Sequence, residues 1–221
     1  MAKVFIGVGH GGSDPGAVAN GTKEKDLNLS IALACKAELE RHGVEVRMSR
    51  TKDENDPIGD EVKECNAYDP TFAVDIHNNA GGGDGGEVFY HHGGGKGKTL
   101  AENILTEMVK AGQNSRGIKT RVNSQGKDYY AFIRNTSCPA VIVECAFVDN
   151  ATDSQILSTE AKRKAMGIAI AKGILKALGV AYQGERGYWK VQVGAYLYKE
   201  NAEALQKKIK AVGFDAFIVK E

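Results

Sequence analysis

The sequence predicts an α/β fold built on a parallel sheet, with a small βαβ unit at its C-terminal end. Three observations lead there. Short apolar runs (Val4 to Val8, Val44 to Met48, Phe72 to Ile76, Ala140 to Val143) alternate with longer segments whose apolar residues recur at helical spacing. The runs give way to glycine-rich loops that cannot continue a strand. A polar, glycine-bearing stretch at 181–187 then separates a domain of residues 1–180 from a tail, 188–221, with its own strand-helix-strand pattern.

In chain order, Val4 to Val8 is a buried strand ending in the loop Gly9-His10-Gly-Gly-Ser-Asp14-Pro-Gly16. A helix follows from Leu27 to about His42, with Leu29, Leu33 and Leu39 among its apolar residues and Asp26 or a neighbour as its cap. Glu24 then lies just before that helix. Val44 to Met48 is the next strand, and Asp56-Pro57 opens a helix to about Tyr68. Phe72 to Ile76 is a strand delivering His77 at its carboxyl end, the edge of an α/β sheet where ligands bind.

Glu87 to His91 reads as a strand, followed by a glycine loop and a helix through Leu100, Ile104, Leu105 and Met108. That loop is a near miss to a phosphate-binding loop, because His92 stands where the motif needs its first glycine. Ile118 to Val122 and Tyr129 to Ile133 read as short extended segments. Ala140-Val-Ile-Val-Glu144 is a central parallel strand delivering a carboxylate at its end, and a helix from about Ser158 to Leu178 closes the domain. A glutamate there either pairs with a cation such as Arg134 or lines a polar site.

Composition narrows the function. With 29 Lys+Arg against 28 Asp+Glu there is no basic field to recruit nucleic acid. No apolar run reaches the roughly 20 residues of a membrane span. The N-terminal segment is too quickly broken by glycine to be a secretory leader, so the expectation is synthesis in the cytoplasm without a signal peptide. Cys35, Cys65, Cys138 and Cys145 lack paired metal or redox spacing, and Cys145 reads as a packed neighbour of Glu144. What remains is a set at one sheet edge: His10, Glu24 and His77 from three loops, with Glu144 from another strand. Two imidazoles and one carboxylate are a catalytic zinc set that leaves one tetrahedral place for water. Such an ion brings the pKa of its water to about 7, and a nearby glutamate can move the proton in amide hydrolysis.

Five stretches carry a family resemblance: Gly9-His10 to Ala17, Glu24 to Leu29, Ser49-Arg50-Thr51-Lys-Asp53, Ile76-His77-Asn-Asn79-Ala80, and Pro139 through Glu144 to Asn150. In this order they resemble the motifs of the zinc-dependent N-acetylmuramoyl-L-alanine amidases of the type-3 family. The resemblance implies a twisted, mostly parallel sheet flanked by helices. It implies Zn²⁺ on His10, Glu24 and His77, Glu144 as general base, and substrate contacts from Asn79 and Arg134. The bond cut would join N-acetylmuramic acid to the L-alanine of the stem peptide. The implied enzyme is a phage endolysin or bacterial autolysin that reaches the wall after release by a holin or by mother-cell lysis. Two departures stand out: Glu61 where the family often has arginine, and Cys145-Ala146 where it often has Thr-Gly.

The tail segments Tyr188 to Tyr196 and Lys210 to Val219 resemble a SPOR-type wall-binding repeat, which implies binding to the glycan strands of peptidoglycan. Only one βαβ unit is present, and two strands make a marginal sheet. The expectation is that two tails, one per chain, complete a four-stranded sheet in a homodimer.

Overall fold

The computed structural model describes residues 2–184 and 192–220. The chain forms two compact units, Met1–Gln183 and Gly184–Glu221. In the first, β1 (Lys3–Val8), the short ribbon β2 (Val18–Ala19) and β3 (Thr22–Lys23), α1 (Glu24–Arg41), β4 (Glu45–Met48), α2 (Ile58–Tyr68), β5 (Phe72–Asn79) and β6 (Gly86–Tyr90) come first. Then follow α3 (Gly95–Lys110), β7 (Ser115–Lys119), α4 (Ala131–Asn135), β8 (Ala140–Phe147), α5 (Ala151–Ile156) and α6 (Glu160–Leu178). The six-stranded sheet has the order β4-β1-β5-β8-β6-β7. All its pairings are parallel except β6 with β8. No helix among the described residues is long and apolar enough to cross a membrane.

The antiparallel β6 follows from connection length. Only residues 80–85 join β5 to β6, too few for the crossover that a parallel return needs. The two strands nonetheless do not touch, because β8 lies between them.

Strand alternation gives the sheet two unlike faces. Val4, Ile6, Val8, Val74, Ile76, Val88, Val141 and Val143 point into the larger core with Ile31 and Leu39 of α1, Ile104 and Met108 of α3, and Ile170 and Ile174 of α6. On the other face Phe5, Ala73, Phe89, Ala140 and Ile142 pack with Cys65 of α2 and with Phe132 and Ile133 of α4. Further along β5 and β8 the residues of this second face turn polar: Asp75, His77 and Asn79 on one strand, Glu144 on the other. The change of polarity along one face is what makes room for a site.

Several elements differ from the sequence expectation. Helix α1 starts at Glu24, so Asp26 lies inside the first turn and does not cap it. The N–H groups of Glu24 and Lys25 are satisfied instead by the carbonyls of Ala17 and Pro15. Strand β7 begins at Ser115, and Val122 makes only an isolated bridge with Asp128. The run from Tyr129 does not form a strand but leads into the helical turn α4, which buries Phe132 and Ile133 against the sheet. Helix α5 was not anticipated; Asn150 caps it by accepting the N–H groups of Thr152 and Asp153.

In the second unit, α7 (Lys199–Ala211) occupies the place expected for the helix. Phe214 to Val219, expected as a strand, carries no strand in the structure, because no ladder partner is present among the described residues. Of the other expected strand, Tyr188 to Val191 lie outside the described residues.

Candidate metal centre

His10 follows β1 in a left-handed conformation, φ 63°, which is strained for a residue with a Cβ and typical of functional positions. Glu24 is the first residue of α1 and is 4% exposed. His77 sits on β5, which runs on two residues past it. These three are brought together: one ligand atom from each lies within 4.8 Å of the others. The geometry centres on Glu24. Its Oε2 is 3.1 Å from His10 Nε2 and accepts the N–H of Ala17 at 2.9 Å. Its Oε1 is 3.1 Å from His77 Nδ1 and accepts the N–H of Asn78 at 3.1 Å. Burial opposes ionisation of Glu24, but the bonds with His10 and His77 outweigh it and hold the carboxyl well below the usual range. The Glu24 bond in turn raises His10 against its own burial, and at His77 burial is outweighed by Asp75 and Glu24.

The outer nitrogens have partners too. His10 Nδ1 lies 2.8 Å from Asp14 Oδ2, and His77 Nε2 lies 3.1 Å from Asp75 Oδ2. Each imidazole thus has an outer carboxylate that can hold one ring proton, which would leave the other nitrogen's lone pair free for a metal bound beside Glu24. This is the arrangement of histidines that ligate metals, and the donor set suits a metal ion of the zinc class.

Glu144 on β8 is the lateral neighbour of His77 on β5. Its Oε2 is buried without a hydrogen-bond partner, and burial, the largest effect, lifts its pKa to about 7. The cation alternative fails, because Arg134 is elsewhere. Its Nη1 donates to the carbonyls of Asp128 and Tyr129 at 2.7 and 2.8 Å. It lines an open cavity of about 560 Å³ together with His91, His92 and Lys127. Those histidines follow Tyr90, which pairs with Val141 at the beginning of β8, so the cavity lies at the sheet edge opposite Glu144. Asn79 stays on the site's side, donating to Glu87 Oε1 at 3.0 Å; Arg116 and Lys119 both pair with Glu87 Oε2.

Sequence reasoning passed over Asp75 and Glu87. The signal for Asp75 was a charged residue two positions before His77 in a strand otherwise buried, which places both side chains on one face. A second group, His91, His92 and Asp128, could also hold a cation. Here, however, the N–H of Gly93 donates to His91 Nδ1 at 2.9 Å, leaving the ring proton on Nε2 to bond Asp128 at 3.0 Å. That cluster is closed by its own hydrogen bonds.

Residues 4–176 match the family of N-acetylmuramoyl-L-alanine amidases. The chain belongs to this family. A second match, to the SPOR domain, covers residues 157–220 and so overlaps the end of the amidase match along α6. The sporulation-specific N-acetylmuramoyl-L-alanine amidase of Bacillus subtilis (strain 168) is 35% identical over 99% of this amidase and 85% of its own length. The endolysin of Bacillus phage SPP1 is 33% identical over 80% of this chain and 66% of its own. Among solved structures, Cwp6 from Clostridium difficile superposes with a TM-score of 0.79 at 39% identity, over 80% of the amidase and 29% of that chain. The catalytic domain of CwlV from Bacillus (Paenibacillus) polymyxa gives 0.74 at 29% identity, over 82% and 100%.

Proposed function

We propose that this chain is a peptidoglycan hydrolase that cleaves the amide between N-acetylmuramic acid and L-alanine of the stem peptide, with His10, Glu24 and His77 holding Zn²⁺. The observation that carries the reading is an unpartnered, buried Glu144 carboxyl beside a three-donor cluster, at the sheet edge where substrate has access. When bound there, zinc would lower the pKa of a water molecule to about 7 and polarise the scissile carbonyl. Glu144, with its pKa near 7, can take a proton from the attacking water and return it to the departing amine of L-alanine. Asp14 and Asp75 hold the two imidazoles in orientation. Asn79, which donates to Glu87, would contact substrate beside the cluster, and Arg134, which lines the cavity near the beginning of β8, would contact a more distant part of the polymer.

The SPOR match supports glycan-strand binding by the second unit. That unit also exposes Leu197, Val212, Phe214, Phe217 and Val219 at 90%, 71%, 70%, 87% and 75%. Apolar groups so exposed favour pairing of two tails into a homodimer. A light-scattering mass of one chain at micromolar concentration would count against that. Similarity to both a sporulation amidase and a phage endolysin supports action on the wall after release from the cell, in either setting.

The reading is tested on purified cell walls. Turbidity should fall, a chelator should stop it and zinc restore it. End-group analysis should show new L-alanine amino termini without new reducing sugars. New amino termini at another residue, or reducing ends, would overturn it.

A further inference from the structure

A row of paired residues crosses the sheet at the site. His77 on β5 pairs with Glu144 on β8, and Glu144 pairs with Glu87 on β6, so the three side chains share a face. Glu87 is 4% exposed and gathers three donors: Asn79 on Oε1, and Arg116 and Lys119, both from β7, on Oε2. The proposed reaction uses neither cation.

Charge in this cluster does not balance. Burial opposes ionisation of Glu87, but the bonds with Lys119 and Arg116 outweigh it, so Glu87 is an anion. That one carboxylate faces two cations, neither of which has another acidic partner among the described residues. One unit of positive charge is left over beside the cleft, on side chains that are 36% and 34% exposed. Arg116 is also held still. Its Nε donates to Glu87 Oε2 at 2.8 Å, and its Cζ stands 4.8 Å from the centre of the Phe147 ring. Its terminal nitrogens, Nη1 and Nη2, donate to none of the described residues. A guanidinium fixed through Nε and one face, with both terminal nitrogens unspent, is a preformed fork for a carboxylate.

We propose that Arg116 binds a free carboxylate on the stem-peptide residue that follows L-alanine, and so selects stem peptides in which that group is not amidated. This rests on the reading of the enzyme as one that cuts before L-alanine. The spacing agrees. The guanidinium stands beside the Glu87 carboxyl, one strand from Glu144 and two from His77, hence about 5 and 10 Å away at the usual strand separation. A carboxylate on the second stem residue lies about 7 Å from the scissile carbonyl when the peptide is extended. Lys119 adds to the field as a point charge, without the planar fork.

The test uses the full, zinc-loaded chain and two muropeptides alike except at the D-glutamyl residue after L-alanine, whose α-carboxyl is free in one and an amide in the other. Release of L-alanine amino termini gives kcat/KM for each. The parent should prefer the free acid by about 10- to 100-fold, the worth of a charge-assisted hydrogen bond. Arg116→Met should bring the two substrates close to parity, and Arg116→Lys, which keeps the charge without the fork, should retain part of the preference. Both substrates are read on one preparation, so any loss of folded protein cancels from the ratio. Equal rates in the parent, a preference for the amide, or a preference that survives in Arg116→Met overturns the proposal. The product separates the two levels: if neither muropeptide is cut before L-alanine, the functional reading fails and takes this one with it. If both are cut there equally well, only the carboxylate site fails.

Discussion

Gly9→Ala probes the centre by a single methyl group. Gly9 follows β1, and its backbone is outside the left-handed region, so alanine brings no dihedral strain. Its added Cβ would, however, lie closer than 3.0 Å to three atoms of the His77 ring, Cε1, Nδ1 and Nε2. Ordinary contact between such atoms needs about 3.5–4.0 Å, so the ring must move by about 1 Å. It has nowhere to move without loss, since it is held at 3.1 Å by Glu24 on one side and at 3.1 Å by Asp75 on the other. A misplacement of about 1 Å in a catalytic array costs on the order of 100-fold in rate. We expect Gly9→Ala to lose at least that much wall-hydrolysis activity, with weaker zinc binding and a folded far-ultraviolet spectrum. Gly59→Ala is the control: its Cβ meets nothing within 4 Å, and removing a flexible residue should stabilise by about 0.4–1 kcal/mol with activity unchanged. Full activity and unaltered zinc affinity in Gly9→Ala would falsify the placement of His77.

Glu144→Gln should lower kcat by about 10²–10⁴-fold while zinc content by elemental analysis stays at one per chain; loss of metal together with activity would make Glu144 a ligand instead. Asp153 is fully buried and its Oδ2 accepts the N–H groups of Gly85 and Phe147 at 2.9 and 2.7 Å. Asp153→Ala should therefore cost roughly 3–6 kcal/mol in urea unfolding, at about 1.5–3 kcal/mol per charged hydrogen bond, and a cost under about 1 kcal/mol would contradict that bonding. Glu38 is bonded by Arg41 at 3.1 and 2.6 Å, and this bond, against burial, holds its carboxyl below the usual range. A depressed acid stabilises the fold fully above the ordinary glutamate value and loses that contribution as pH falls through the depressed one. The unfolding midpoint of Arg41→Met should lie below the parent's at pH 7, and the gap should close on acidification below the ordinary glutamate range; a gap constant with pH would count against the pairing.

Much of this was readable from the chain because local chemistry and global fold agree. The buried runs are strands, and the loop after β1 and the last part of β5 carry His10 and His77 to one edge. Where local signals were short, they misled. Tyr129 to Ile133 has strand-like composition, yet Phe132 and Ile133 bury equally well from one helical turn, and five residues are too few for a period to show. The start of α1 was misplaced because loop carbonyls, not a side chain, satisfy its first N–H groups. Arg134 was assigned to the cleft through its motif, but only residues 136–139 separate α4 from β8, which keeps Arg134 at the beginning of that strand and away from Glu144. Glu61 was visible only as a departure, since its burial beside Gly7 depends on how α2 lies over the sheet.

The placement of β8 between β5 and β6 sets the order in which the enzyme can come alive. The sheet's last-synthesised strand is its keystone, so a nascent chain that has emerged only as far as β7 leaves a slot beside β5 and lacks Glu144. Closure of the sheet and arrival of Glu144 are one event. A wall-degrading catalyst assembled this way cannot act as an unfinished fragment.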